Sequence, residues 1–391
     1  MFRRQVTVWW TIPCKSAIPM FQHLMEQHCR DVLFVSLHAL PKFRTDLGWS
    51  VPKHGRMPLR VLDDRTWSQE ADAIMAERPG LHIINGYYHD IRMRHVAQSL
   101  ASSGRDFGAI MEAPCNMESG LRRIAKWLLA PAVSRLRSRK VSSKAEFVLS
   151  ASGNLKGDFR RLGFRADRIH PFGYFPDFAE RSVAPAVACG PLRLLCIGYL
   201  EPFKGQDILI DAVALLRGRG LDVSATITGF GRSAHQLRQQ VKRLGLDGAV
   251  EFAGVVSDAH LTELFETSSA LVAPGREEPW GIRINEALLS GLPVVVSDKV
   301  GASELVELSG AGEVFRAGSI HSLADAMERL KYRLKSGTEI ADLLRRFRPT
   351  ITPLSAADFL EQVIAIGEGS DVRHPIPAWH RSDWKYLPEP A

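Results

Sequence analysis

Long apolar runs are missing from this 391-residue chain, and no stretch approaches the roughly 18 to 20 consecutive apolar residues of a membrane-spanning helix. The start, MFRRQVTVWWTIPCKSAIPMF, carries two arginines, but its apolar run breaks at Pro13 and Lys15, too soon for a signal peptide. A cytoplasmic chain is therefore expected. Cysteine is scarce as well: Cys14, Cys29, Cys115, Cys189 and Cys196 are odd in number and show no CxxC spacing, which argues against a disulfide framework and against a zinc site. No G-x-G-x-x-G follows either candidate first strand, and GFG at Gly229 lacks the third glycine, which argues against a dinucleotide oxidoreductase.

What is present is a globular composition, 45% apolar and 24% charged, long enough for two domains. Charge divides unevenly: residues 1–180 hold 27 Lys and Arg against 17 Asp and Glu, leaving 23 against 26 in residues 181–391. The densest basic part, residues 119–145, has eight cations and no acid. Leu121, Ile124, Ala125, Leu128 and Leu129 form one helical stripe there, with Arg122, Arg123 and Lys126 off it. This basic amphipathic helix reads either as a domain helix with a solvated face or as an attachment to an anionic membrane surface. Nucleic acid is disfavoured, because aromatics do not interleave with the cations.

Strands alternate with helical stretches, the pattern of parallel α/β architecture. In the first half QVTVWW (from Gln5), DVLFVSL (from Asp31), LHIING (from Leu81), FGAIM (from Phe107) and AEFVLSA (from Ala145) read as buried strands. Residues 181–191, RSVAPAVACGP, read as a linker, and a second set begins at LRLLCIG. The expectation is two doubly wound domains with a ligand cleft at the carboxyl ends of their sheets. The boundaries are 1–180, 181–191, 192–353 and 354–391, the last a helical stretch and an extended tail.

The stretch EEPWGIRINEALLSGLPVVVSD, from Glu277, concentrates the chemistry. Gly281 opens a helix whose first amides, on Gly281, Ile282 and Arg283, lack intrahelical acceptors and lie at a positive dipole end suited to phosphate. Glu278 precedes that end, and Glu286 lies on a helix apolar on two sides, where a carboxylate needs a partner. Sugar hydroxyls could serve both acids; a cap and an internal salt bridge is the plainer reading.

At these residues the second half resembles the donor domain of GT-B glycosyltransferases, specifically the retaining nucleotide-sugar enzymes of glycosyltransferase family 4. The resemblance rests on Glu278, Glu286, Ala287, Gly291, Pro293, Val294 and Val295, and on Gly198 with Lys204 and Gly205 in GYLEPFKG. Gly229 and Gly231 in TGFGR, FAGVV around Gly254, and Gly301 with Glu304 in VGASELV extend it over about residues 190–330. It implies that Lys204 pairs with the donor diphosphate and that Glu286 binds the ribose. Glu278 and the amides of Gly281, Ile282 and Arg283 would hold the sugar and its phosphate, and backbone near Val255 would read the base. No bound metal and no cofactor beyond the nucleotide-sugar substrate are implied.

Several positions depart from the family. Tyr199 stands where many relatives carry a diphosphate-binding Arg, and Arg283 could supply that charge. TIPCKSAIP, from Thr11, replaces the usual Gly-rich loop, and Glu112 replaces a histidine. Glu112 could orient the acceptor hydroxyl or stabilise positive charge on the sugar. NGYYHD, Asn85 to Asp90, is a candidate acceptor surface, and HPFGYFPD, from His170, resembles the segment that closes the first domain. The resemblance implies retaining transfer by front-side attack, and a last helix, from about Leu354, that returns to pack on the first domain. Because the basic half is the acceptor half, the preferred acceptor is a saccharide or lipid-linked saccharide at the inner membrane face, as in bacterial polysaccharide assembly. Rivals are a sugar-nucleotide binding protein that has lost catalysis, and an epimerase or phosphorylase on the same fold.

Overall fold

The structure is a computed structural model that describes residues 4–46, 49–87, 90–113, 138–153, 156–178, 190–335, 339–370 and 374–386. The apolar stripe of the basic helix, Tyr88 and His89 of the candidate acceptor surface, and most of the 181–191 linker lie outside the described residues. The chain divides into two compact units, Met1–Asp177 with Thr352–Ala378 and Phe178–Ile351 with Trp379–Ala391.

The first unit is built on a seven-stranded parallel sheet. Its strands are β1 (Val6–Trp10), β2 (Val32–Ser36), β3 (Leu59–Val61), β4 (Leu81–Asn85), β5 (Phe107–Met111), β6 (Val148–Ala151) and β7 (Ile169–Phe172), in the order β3-β2-β1-β4-β5-β6-β7. β1, β5 and β6 are buried along their whole length, as expected where helices cover both faces of a parallel sheet. The five strands read from sequence are present. β3 and β7 are additional, and HPFGYFPD, from His170, begins with the last three residues of β7. Both are edge strands: β3 is short with two exposed residues, and β7 contains Pro171, which a strand tolerates at an edge because no neighbour needs its amide.

Helix Ile91–Ser103 shows how local sequence sets an element. Asp90 caps it by accepting from the Arg92 and Met93 amides at 2.8 and 3.0 Å, and Gly104 ends it in the left-handed conformation. Helix Pro353–Gly367 starts on a Thr352–Ser355 capping box and packs on helix Ile18–His28. Beside them the Arg30 side chain, 1% exposed, is clamped by two carboxylates. Its nitrogens lie 2.8 Å from both oxygens of Glu361, and 2.6 and 2.8 Å from those of Glu368. The Arg30 hydrogen bonds outweigh burial and hold the Glu368 carboxyl down at about 2.

The second unit has a six-stranded parallel sheet of β8 (Leu192–Ile197), β9 (Val223–Thr228), β10 (Val250–Gly254), β11 (Ala270–Ala273), β12 (Val294–Ser297) and β13 (Gly312–Phe315). The order is β10-β9-β8-β11-β12-β13. Only β13, again a short edge strand, was not expected. The tail does not run extended as expected; it makes two 3-10 turns, Ala378–His380 and Asp383–Tyr386, that bury Trp379 and Trp384. Two large apolar rings can leave water only by turning the chain inward. No helix among the described residues is long and apolar enough to cross a membrane.

In the core of the first unit, Trp9 Nε1 donates to His82 Nδ1 at 3.1 Å, which places the His82 proton on Nε2. Burial, with Arg105 adding repulsion, pushes His82 down to about 4. The unfolded chain protonates this residue near its ordinary 6.5, the fold only near 4. Its contribution to stability is therefore complete above pH 6.5 and lost as pH falls toward 4, at most about 3 kcal/mol. We expect the urea midpoint for exchange of the β1 and β4 amides to fall between pH 6.5 and 4, and to fall less in His82→Gln; equal slopes would show that His82 is not the titrating group.

Candidate functional site

Ten of the eleven site residues expected from sequence lie in the second unit, at or just beyond the carboxyl ends of its strands. The turn after β8 closes on a 3-10 turn, Pro202–Lys204, and Gly205 follows with φ +72°. A Cβ on Gly205 would stand 2.0 Å from the Pro274 carbonyl oxygen, so only glycine lets this turn approach the loop after β11. Arg276 ties the same two segments: its amide donates to the Phe203 carbonyl at 2.7 Å, and its guanidinium grips Asp207 at 2.8 and 2.6 Å. Gly229 plays the matching role between β9 and β8, where a Cβ would meet the Gly198 carbonyl at 1.9 Å. A Cβ on Gly231 would likewise meet the Leu200 carbonyl, at 2.4 Å.

This lacing brings Lys204 and Glu278 together. Nζ lies 2.6 Å from Oε1, with side chains 18% and 21% exposed. Glu278 is fixed through its backbone, donating to the Lys299 carbonyl at 2.9 Å and accepting from the Gly301 amide at 3.0 Å, in a parallel bridge to Val300. Beneath the pair, burial pushes the Cys196 thiol up to about 12, so it is an inert filler. Gly281, φ +95°, opens helix Ile282–Leu289, and no side chain caps that end. Glu286, 8% exposed, is paired with Arg283 at 2.5 Å. Each glutamate thus has its own cation, and the cationic member of each pair stands beside an uncapped helix end. Arg283, expected as a spare diphosphate cation, is engaged by Glu286. Lys204, expected on the diphosphate, is engaged by Glu278.

Tyr199 is 47% exposed and packs edge-on to Phe230, 46% exposed, with ring centroids 5.3 Å apart. Val255 is also exposed. The ends of β8, β9 and β10 therefore present an apolar stretch flanking the charged one. Two residues of the site escaped sequence reasoning. Trp280, 2% exposed, donates from Nε1 to Oδ1 of the fully buried Asn285 at 2.9 Å, pinning the loop to the helix it precedes. A Trp and an Asn five apart in the quoted stretch were a usable signal.

Glu112 belongs to the first unit, exposed just after β5. Burial, with the Glu112 charge adding to it, pushes the Tyr174 phenol well above its ordinary value, despite a hydrogen bond with Asn85. Asn85, Glu112 and Tyr174 are thus neighbours at the carboxyl ends of β4, β5 and β7. Among the described residues no group of three or more His, Cys, Asp or Glu could hold a metal ion.

Residues 191–331 match the family model described as glycosyl transferases group 1. Over this segment the chain is similar to group 1 glycosyltransferases. The matched segment carries all ten second-unit site residues. Over 247 residues the chain is 27% identical to the alpha-D-kanosaminyltransferase of Streptomyces kanamyceticus, covering 60% of each protein. Over 112 residues it is 33% identical to the mannosylfructose-phosphate synthase of Agrobacterium fabrum, 27% of this chain and 25% of that one. The chain thus spans less than two thirds of these curated relatives. The structure of Anabaena HepE in complex with UDP superposes with a TM-score of 0.69 at 18% identity, over 93% of this chain and all of that one. At that identity the match concerns the fold, which is GT-B.

Gly205 and Gly245 share nearly the same positive φ, but nothing lies within 4 Å of a Cβ on Gly245. We expect Gly245→Ala to cost about 1 kcal/mol of backbone strain, and Gly205→Ala clearly more, because the loop carrying Glu278 must move. Denaturant unfolding followed by exchange of second-unit amides measures both; equal costs would show that the close approach to Pro274 is not needed.

Proposed function

We propose that this protein is a glycosyltransferase that moves a sugar from a nucleoside diphosphate sugar to an acceptor hydroxyl, with retention of configuration. The observation that carries the reading is the Lys204–Glu278 pair set beside an uncapped helix start at Gly281, with the Glu286–Arg283 pair one turn further on. A diphosphate supplies the negative charge that such a helix end and two cations attract, and sugar hydroxyls supply the donors that two carboxylates accept. On binding, the diphosphate exchanges one ion pair for another: Lys204 turns to phosphate and Glu278 to a sugar hydroxyl. This exchange avoids stranding either charge. The UDP held by HepE and the transferase names of the relatives support the same reading.

The chemistry proposed is front-side attack, in which the acceptor oxygen bonds to the anomeric carbon on the face the diphosphate leaves, and the departing phosphate oxygen takes the acceptor proton. Lys204 and the Gly281, Ile282 and Arg283 amides stabilise the charge that develops on the leaving group. Gly229, Gly231 and Val255 shape the nucleotide end, with Tyr199 beside them. Glu112 is the proposed acceptor-side carboxylate. No metal and no cofactor takes part in this scheme. For the acceptor we propose a saccharide or lipid-linked saccharide of bacterial surface polysaccharide, reached at the inner membrane face. The basic excess of residues 1–180 supports it through attraction to anionic headgroups.

Calorimetry with UDP, GDP and ADP in EDTA tests the donor site. We expect one nucleotide to bind without metal, and Glu286→Ala to weaken it by about tenfold or more, the worth of a charge-assisted hydrogen bond. Failure of all three nucleotides to bind the wild type would falsify the donor-site reading. Binding with neither transfer nor slow donor hydrolysis would leave a sugar-nucleotide binding protein.

A further inference from the structure

Glu304 lies in the first turn of helix Ser303–Ser309 and is 8% exposed, a costly place for a carboxylate without a partner. Its partner comes from the far end of the chain. His380 Nε2 stands 2.7 Å from Glu304 Oε1, within ion-pair distance when the imidazole carries a proton, though not aligned as a hydrogen bond. The tail that delivers it is anchored in the same unit. Trp379 and Trp384 are 1% and 2% exposed, Trp384 meets the Phe347 ring at 5.1 Å, and Arg346 donates to the Lys385 carbonyl at 2.9 Å.

From Glu304 a short run of backbone bonds leads to the ion pair of the candidate site. Ser303 donates to the Val300 carbonyl at 2.9 Å and Leu305 to that of Ala302 at 3.0 Å, which winds the turn onto its helix. From that turn Ala302 donates to the Trp280 carbonyl at 2.8 Å and Gly301 to that of Glu278 at 3.0 Å. Whatever holds Glu304 in place therefore also holds the strip of backbone on which Glu278 rests.

We propose that His380 is a positioning residue. By holding Glu304 it fixes the 298–304 turn, and through that turn the register of Glu278 against Lys204. The competing account is that Glu304 is simply an acid at a helix start, held by the dipole, with His380 incidental. The proposal rests on the donor-site reading for what the turn serves, and on geometry alone for how it is held.

The test uses the full chain as wild type, His380→Ala, His380→Gln, Glu304→Gln and the His380→Ala/Glu304→Gln double variant. Amide exchange of the free protein is read at Gly301 and Ala302, with β9 as an internal control, and nucleotide affinity is read by calorimetry. We expect His380→Ala to speed exchange at Gly301 and Ala302 by about tenfold, and to weaken nucleotide binding by a similar factor, with β9 unchanged. His380→Gln, which keeps a donor but not the charge, should recover little of either. In the double variant, removing His380 should add little to the loss caused by Glu304→Gln alone. Unchanged exchange at Gly301 and Ala302, equal loss at β9, or additive effects in the double variant would each overturn the proposal. If the wild type binds no nucleotide, the donor-site reading fails, while the exchange data still decide whether His380 holds the turn.

Discussion

Holding an ammonium 2.6 Å from a carboxylate, both about four-fifths shielded from water, is the constraint around which the second unit's loops are arranged. Lys204 and Glu278 come from loops after β8 and β11, 74 residues apart in the chain. Each stands on only a short element, Lys204 at the end of the Pro202–Lys204 3-10 turn and Glu278 in a single bridge to Val300. The close approach at Gly205, the Arg276–Asp207 grip, the Trp280–Asn285 bond and the bridge to Val300 each remove a freedom that would let the pair separate. A partly shielded ion pair gains from such rigidity, because losing either partner would leave the other charge poorly solvated.

The same economy explains the distribution of charge around helix Ile282–Leu289. Its carboxylate Glu286 is neutralised locally by Arg283, while its uncapped start keeps its amide donors available. A site already neutral in itself can take an anionic ligand by exchanging partners. The Tyr199–Phe230 rings and Val255 add an apolar flank on β8, β9 and β10, so charged and apolar surfaces lie side by side along one sheet edge. The first unit is held by a different device. There the Arg30 clamp on Glu361 and Glu368 fastens helix Pro353–Gly367, drawn from late in the chain, to a domain otherwise complete by residue 177.

Which parts of this were legible beforehand follows from how each feature is written. Strands such as VTVWW and VVVS, inside a parallel sheet and buried on both faces, are apolar runs and were read correctly. The three strands missed, β3, β7 and β13, are sheet edges. Burial is partial there, so no apolar run marks them, and Pro171 disguises one. The loop glycines were visible because a backbone that must pass within 2 Å of where a Cβ would sit leaves no other residue possible. The buried tail was not visible, because two tryptophans among prolines carry no period.

The sequence by itself determined the α/β class and the central strands, since these depend on local apolar runs and on the turn residues that bound them. The tertiary structure alone decided the pairings: Lys204 with Glu278, Arg283 with Glu286, Trp280 with Asn285 and His380 with Glu304. A charge or a polar group in a sequence announces that it needs a partner. Which partner it finds depends on the approach of loops tens of residues apart, and only the folded chain fixes that distance.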